Sequence, residues 1–399
     1  MTDILDPKID NAHKQDGKPH SQPATNSIVQ LAEHGLPITS NTAIVYCEGN
    51  FGALDGKTAN GLVRHSEKYE VCAVIDSKLA GQDSGMVLDG IANSIQIHSN
   101  LATVLDHLEH TPDFFIFGMA PASGMLSTHE RGLIIEAMSH GMNIVNGLHE
   151  FLNEDPVFAA ACLAYEVTIL DVRKPRAKKD LRMFSGRIKE VTCPVIAVLG
   201  TDGAIGKRTT STILTDALKA YGIKATMIGT GQTGLIQGAR YGIAIDAIPA
   251  QFCSGEMESA IVEAFEQENP DVIIIEGQGA LSHPAYLTSA FILRGSQPDG
   301  VILQHAPKRT HLGDFPDTEM PTPESEINLI ETFADTKVIG LTINHENMSD
   351  DEVSSAIKTY THLLGIPATD ALTRPTAHLV DMVLAAFPQL APKRVANSH

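Results

Sequence analysis

The sequence predicts an α/β protein built from two mainly parallel, doubly wound sheets, and three observations carry that expectation. Short apolar runs alternate with helical stretches along both halves of the chain, the succession that produces parallel sheets covered by helices on both faces. The 399 residues suggest two or three domains at roughly 100–200 residues each. A basic segment, 171–190, separates the two successions. With 43% hydrophobic and 19% charged residues, the composition is that of a folded globular protein rather than a disordered one.

Residues 1–40 read as a polar arm, interrupted by Pro7, Pro19 and Pro23, with only 28–32 apolar enough to pack; the arm is expected to cover a neighbouring subunit of a homo-oligomer. The first domain, 41–170, opens with an apolar run at 42–47, a glycine-containing loop, a helical stretch at 58–68 and a second run at 71–75 that ends in Asp76. Strands at 94–98, 114–117 and 143–145 alternate with helices from 101 and at 128–140. The second domain, 191–399, places strands at 195–199, 224–228, 272–275, 300–303 and 337–342, with helices at 207–221, 256–267, 351–364 and 376–386.

Twenty-nine basic residues against 48 acidic ones leave a formal charge of −19, which repels polyphosphate chains and argues against nucleic acid as a partner. The scarce cations are concentrated: Arg173, Lys174, Arg176, Lys178, Lys179, Arg182, Arg187 and Lys189 stand among only two acids, Asp171 and Asp180. Such a run is either a solvated connector or a patch beside an anionic ligand. The five cysteines are scattered without a C-x-x-C pair, so neither a disulfide framework nor a thiolate zinc site is indicated. With no apolar signal region in the arm and no run of eighteen apolar residues, the expectation is a cytoplasmic protein with no membrane partner.

The motif with most chemistry follows the strand at 195–199: Gly200-Thr201-Asp202-Gly203-Ala204-Ile205-Gly206-Lys207-Arg208-Thr209-Thr210, opening a helix. A loop in this context turns backbone N–H groups inward, the helix end favours anions, and Lys207 adds a point charge, so phosphate oxygens are the expected ligand. Gly203, Ala204, Ile205, Gly206, Lys207, Arg208 and Thr209 are the cofactor-binding candidates. Arg208 stands where a serine or threonine would ligate magnesium, which weakens the case for nucleotide hydrolysis and suits a diphosphate that is held without being broken.

Two further glycine-rich segments leave neighbouring strand ends, where open α/β sheets bind ligands: Gly229-Thr230-Gly231-Gln232-Thr233-Gly234, and Glu276-Gly277-Gln278-Gly279-Ala280-Leu281-Ser282-His283. Glu276 occupies the place of a P-loop acid, and Arg309 lies on the loop after 300–303. The first domain imitates a dinucleotide site, with Glu48-Gly49-Asn50 through Gly56-Lys57-Thr58 after one strand and Asp76 after the next. Its spacing is not G-x-G-x-x-G, and a structural or substrate-shaping role is the alternative.

The strings G-T-D-G-A-I-G-K-R-T-T at Gly200, G-T-G-Q-T-G at Gly229, E-G-Q-G-A-L-S-H-P at Glu276, D-V-R-K-P at Asp171 and G-L-H-E-F-L at Gly147 together resemble the DgcN-type D-glutamate N-acetyltransferases over residues 42–388. The resemblance implies a Rossmann-like N-terminal domain, a P-loop C-terminal domain, and acetyl transfer from acetyl-CoA to D-glutamate in D-amino acid catabolism. The loop is also similar to that of dethiobiotin synthetase, which has Thr rather than Arg after the lysine, so an ATP-dependent kinase or ligase is the alternative. A nucleotide-sensing binding protein is a third reading. Members of the resembled family often carry Cys where this chain has Gly203, which argues against a nucleophile there.

In the transferase reading acetyl-CoA is a co-substrate held by the loop, and no metal is needed. Glu276, Asp202 and His283 are the candidates, in that order, for the base that takes a proton from the substrate ammonium. The substrate carboxylates require cations, with Arg173, Lys174 and Arg309 as candidates, and Gln232, Thr233 and Gln278 are further substrate-binding candidates.

Overall fold

The computed structural model describes residues 41–53, 55–120 and 124–391. The predicted arm, 1–40, lies outside the described residues. The chain runs β1 (Thr42–Tyr46), α1 (Lys57–Arg64), β2 (Glu70–Ile75), α2 (Ser84–Asp89), β3 (Gln96–His98), α3 (Leu101–His107), β4 (Phe114–Phe117), α4 (Thr128–Ser139), β5 (Asn143–Asn146), α5 (Pro156–Tyr165) and β6 (Ile169–Asp171). These six strands form one sheet in the order β3-β2-β1-β4-β5-β6, every pair parallel. Its centre is apolar on both faces, with Ile44, Val45, Phe115 and Ile116 fully buried, as a sheet covered on both sides requires.

The second half runs β7 (Val195–Gly200), α6 (Lys207–Ala220), β8 (Ala225–Gly229), α7 (Gln232–Gln237), β9 (Tyr241–Gly242), α8 (Ala250–Glu268), β10 (Val272–Glu276), α9 (Thr288–Ser296) and β11 (Gly300–His305). It continues with β12 (His311–Leu312), β13 (Phe315–Glu319), α10 (Pro323–Phe333), β14 (Val338–Ile343), α11 (Asp350–Leu364), β15 (Ala368–Asp370) and α12 (Ala377–Ala386). Seven strands make a parallel sheet, β15-β14-β11-β7-β10-β8-β9, while β12 and β13 pair as a separate antiparallel hairpin. One face of the large sheet packs Met257, Ile261, Ile292, Ile330 and Val353 from α8 to α11. The other packs Leu214 and Leu218 of α6 with Leu379 and Val383 of α12. Alternate residues of β7 serve the two faces, Ala197 and Leu199 one and Ile196 and Val198 the other, which is why the strand reads as an unbroken apolar run.

The expected alternation is present, and the structure adds elements the sequence reading did not place: α2, α5 and β6 in the first half, and β9, α9, α10 and β15 in the second. Part of the segment at 229–234, read as a glycine-rich loop, winds into α7; its low-propensity residues are held by packing against α1. The hairpin at 311–319 carries no alternating apolar pattern, since all five residues of β13 are exposed, and the sequence offered no signal for it. The basic segment is engaged by acids of the protein. Arg176 faces Glu256 at 3.5 Å, Arg187 faces Glu266 at 2.5 Å, and Glu258 accepts from Ser185 N at 2.7 Å, which ties the connector along α8. All five cysteines are free thiols.

The two sheets meet where α1 packs on α7. Thr58 Oγ1 lies 2.8 Å from Thr233 Oγ1, and Gln237 Nε2 donates to the carbonyl oxygens of Gly61 and His65, both at 2.7 Å. Strand-end loops of the two sheets border this junction.

Candidate active site

Several helices of the chain begin with a side-chain cap, as Ser127 and Glu130 form a reciprocal pair at the start of α4. The helix α6 does not. Gly206 precedes it at φ 103°, a left-handed conformation that suits glycine, and no side chain caps the helix, which leaves its first-turn N–H groups and positive end for a ligand. Neighbouring strands hold the loop in shape. Thr201 N donates to Gln304 O at 3.0 Å, Thr210 Oγ1 to Gln304 Oε1 at 2.6 Å, and Asn344 Nδ2 to Ile205 O at 3.0 Å. Lys207 is buried, and its ammonium donates to the carbonyl oxygens of Asp202 and Gly203. Burial pushes its pKa down to about 7, against the attraction of Asp202 and Glu276. A buried lysine whose bonded partners are neutral carbonyls is a receptor for an anion.

The three predicted acids and bases differ sharply. Asp202 accepts from Gly203 N at 2.6 Å, Arg309 Nη1 at 3.0 Å and Gly313 N at 3.0 Å, so three donors of the protein hold its carboxylate. Glu276 ends β10, fully enclosed, with Oε2 accepting from Thr230 N at 2.8 Å. Burial raises its proton affinity, opposed by Arg208, the N–H groups of Thr230 and Gly231, and Lys207. His283 is buried with Nδ1 accepting from Ala285 N at 3.2 Å and Tyr286 N at 3.3 Å. Burial lowers its pKa, so the ring is neutral and the proton belongs on Nε2, which finds no hydrogen-bond partner among the described residues. The ring stacks on Tyr286 at 4.3 Å and meets the edge of Phe315 at 5.5 Å. Expected as a proton acceptor, His283 instead presents a donor.

The predicted substrate residues divide as well. Arg173 is buried, with Nη2 2.9 Å from Asp246 and Nη1 donating to Gly147 O. Lys174 points to the surface and pairs with Glu154 at 3.3 Å. Arg309 bridges Asp202 and Glu346, the latter at 2.7 Å. Gln232 and Thr233 are buried at the start of α7, and Gln278 Nε2 donates to Thr230 Oγ1 at 2.8 Å. In the loop itself, Ile205 is buried, Thr209 is half-buried, and the guanidinium of Arg208 lies against Gly61 of α1.

Sequence reasoning passed over Lys57 as a site residue. It opens α1 beside the Thr58–Thr233 contact and carries no ion pair among the described residues. Its charge acts on Lys207; the surrounding protein and Arg173 push its own pKa down, while Asp314, Asp246 and Asp55 oppose that shift. The signal was the Gly56-Lys57-Thr58 string, in a loop whose spacing is not G-x-G-x-x-G.

A doubly wound parallel sheet whose first strand runs into an uncapped helix through a glycine-led, lysine-bearing turn is a P-loop domain, and the six-stranded order of the first sheet makes its companion Rossmann-like. Residues 182–380 match the family domain described as "Domain of unknown function (DUF1611_C) P-loop domain", and residues 77–175 match "Domain of unknown function (DUF1611_N) Rossmann-like domain". The chain belongs to this DUF1611 family. It is 32% identical over 278 residues to a D-glutamate N-acetyltransferase of Tritonibacter scottomollicae, spanning 68% of this chain and 80% of that one. It is 34% identical over 265 residues to a D-glutamate N-acetyltransferase of a Pseudoalteromonas species, spanning 65% and 77%. A crystal structure of a DUF1611 family protein from Anabaena variabilis superposes with a TM-score of 0.80 at 31% identity, covering 88% of this chain and all of that one.

Proposed function

We propose that this chain is a D-glutamate N-acetyltransferase that takes its acetyl group from acetyl-CoA. The observation that carries the reading is the Lys207 loop: a buried lysine on an uncapped helix start, followed by Arg208 rather than a metal-binding hydroxyl. Such a loop suits a diphosphate used as a handle, while reaction takes place elsewhere on the bound molecule. The activity by which its curated relatives are named supports the choice of chemistry.

In this reading the amides of Ala204, Gly206 and Lys207, with the Lys207 ammonium, grip the coenzyme A diphosphate and place the thioester. Lys57, free of ion pairs among the described residues, takes one carboxylate of D-glutamate, and Arg309, which already bridges Asp202 and Glu346, takes the other. The substrate ammonium first gives up a proton. Asp202 is held by three donors, one of them the Arg309 guanidinium that stabilises its charged form, and His283 offers a hydrogen rather than a lone pair, so Glu276 is the base in this reading. The amine nitrogen then attacks the thioester carbonyl carbon, and the carbonyl oxygen gains negative charge. His283 Nε2–H and the backbone N–H groups of 277–279 are its donors. Collapse breaks the C–S bond, and the second proton leaving the attacking nitrogen neutralises the departing thiolate, which gives the amide and free coenzyme A.

The test mixes purified protein with acetyl-CoA and D- or L-glutamate and follows free thiol. Release with the D-enantiomer is expected. No release with either overturns the reading, and ADP formation from magnesium-ATP in its place favours a kinase or ligase.

A further inference from the structure

The segment that carries His283 is short of regular structure, and the protein ties it down from three sides. Ser289 Oγ of α9 donates to Gly279 O at 2.5 Å, and the Tyr286 hydroxyl donates to Asp314, in the turn of the β12–β13 hairpin, at 2.9 Å. The deepest tie comes from Glu326, in the first turn of α10. Its side chain is fully enclosed, yet it forms no ion pair among the described residues. Both its oxygens face the segment instead: Oε1 accepts from the N–H groups of Leu281 and Ser282, the latter at 3.3 Å, and Oε2 from the Ser282 hydroxyl at 2.6 Å. A buried carboxylate is unfavourable unless hydrogen bonds and dipoles replace its water, and here two successive backbone N–H groups and the positive end of α10 do so. Burial raises its pKa, but the tie survives protonation, because Oε1 accepts in either state and a hydroxyl can donate to Oε2 or accept from it. Helix α10 itself rests on the large sheet through Ile330, which makes Glu326 a fixed point.

What the tie secures is the next residue. His283 Nε2 is buried and finds no hydrogen-bond partner among the described residues. A buried donor left unpaired favours any rotation of the ring that would bring it an acceptor. The two bonds accepted by Nδ1, at 3.2 and 3.3 Å, and the stack on Tyr286 oppose that rotation, and both depend on the path of the backbone from 281 to 286. We propose that Glu326 is a positioning residue: by clamping Leu281 and Ser282 it fixes the turn that follows, and so keeps the Nε2–H of His283 aimed at the carbonyl oxygen of the reacting thioester. The service to that oxygen rests on the transferase reading; the clamp does not.

The experiment therefore has two arms, and the first needs no turnover. Histidine nitrogens are followed by NMR in isotopically labelled protein, with the His283 signals assigned by their loss in His283→Ala. Wild-type protein is expected to show one neutral tautomer, protonated on Nε2. In Glu326→Ala the shifts should move toward the average of the two tautomers, whereas Glu326→Gln, whose amide oxygen still accepts from both N–H groups, should stay with the wild type. A wild-type ring protonated on Nδ1, or unchanged shifts in folded Glu326→Ala, overturns the proposal. In the second arm kcat is read from thiol release. His283→Ala should lower it roughly 10²- to 10³-fold, as loss of an oxyanion donor does. Glu326→Ala should lower it roughly tenfold with both KM values within about twofold, and Glu326→Gln by about twofold at most. Because Glu326 acts through His283, adding Glu326→Ala to His283→Ala should lower kcat no further. Full activity in Glu326→Ala, losses that multiply in the double variant, or Glu326→Gln as impaired as Glu326→Ala each overturn the proposal. Should Glu326→Ala fail to fold, Ser282→Ala takes its place in both arms: it removes one of the three bonds, with an expected loss of kcat of about threefold that disappears in the His283→Ala background. If the wild type releases no thiol, the transferase reading falls while the first arm still decides the clamp.

Discussion

The two loops that leave the first strands of the two sheets look alike in sequence and differ in which of their N–H groups the protein itself takes. Both follow a buried strand, both contain glycine and lysine, and both run into a helix with no side-chain cap. In the first domain the loop's own neighbours take its donors. Asp76 accepts from Phe51 N at 3.1 Å, Asn60 accepts from Gly52 N at 2.9 Å, Asn50 O accepts from Ala53 N at 2.9 Å, and Ala59 N reaches Gly118 O at 3.0 Å. In the second domain Thr201 N, Gly203 N and Ile205 N are taken by Gln304 O, Asp202 Oδ1 and Gly203 O, but the N–H groups of Ala204, Gly206 and Lys207 find no partner among the described residues, Glu276 turns to Thr230 on the adjacent strand end, and Lys207 rests on neutral carbonyls. A glycine-rich turn after a strand binds an anion only when its N–H groups have not been claimed by the protein. Spacing alone does not report this.

The largest expected effect separates the two strand-end acids. Glu276→Gln should lower kcat by about 10²- to 10⁴-fold, the range for loss of a general base, with melting behaviour close to that of the parent. A kcat within a few-fold of the parent removes Glu276 from the chemistry.

Lys207→Met tests the loop itself. Losing one charge-assisted contact of about 1.5–3 kcal/mol should raise the acetyl-CoA KM roughly 10- to 100-fold and leave the D-glutamate KM nearly unchanged. The pH dependence follows from the sign of the shift. In the free protein the Lys207 ammonium titrates near 7, whereas the unfolded chain holds that proton to an ordinary lysine value of 10.5. The free protein is therefore penalised at low pH, and its stability rises as pH increases through this window. A bound phosphate restores the proton. Coenzyme A binding at pH 8 should take up a proton, visible as a buffer-dependent enthalpy, and should weaken as pH rises; both features should vanish in Lys207→Met.

The converse substitution, Asp76→Asn, should cost about 1–3 kcal/mol of stability in denaturant unfolding, because one of the two backbone donors, Phe51 N or Lys78 N, loses its carboxylate acceptor. The acetyl-CoA KM should stay where it was. A rise in KM with unchanged stability would mean that the first loop also holds ligand.

The alternation of strands and helices was legible because buried parallel strands are apolar on both faces and stand out at any register, as Val195–Gly200 and Val272–Glu276 do. The Lys207 loop was legible because its chemistry is local. What escaped is long-range. Arg173 has the composition of a ligand-binding residue, and its engagement by Asp246, 73 positions away, cannot be read from the basic run around it. The orientation of His283 depends on two backbone donors that only the folded turn supplies. Lys57 was visible as a lysine at a helix start, but its place within electrostatic reach of Lys207 comes with the packing of α1 on α7, which leaves no periodic mark.

That packing permits the smallest and most specific test of the comparison. Thr58 and Thr233 bring two buried hydroxyls to 2.8 Å across the junction, one donating to the other. Thr58→Val keeps the shape and removes one partner, at an expected cost of about 0.5–1.5 kcal/mol in unfolding. If the first domain only covers the second, kcat and both KM values should not move. If α1 sets the position of Lys57, the D-glutamate KM should rise about two- to threefold while the acetyl-CoA KM holds. Thr233→Val breaks the same contact from the other side, so the double variant should add little to either single one. Full additivity would show that the two hydroxyls act independently and that the junction is fixed elsewhere, by Gln237 on the carbonyls of Gly61 and His65.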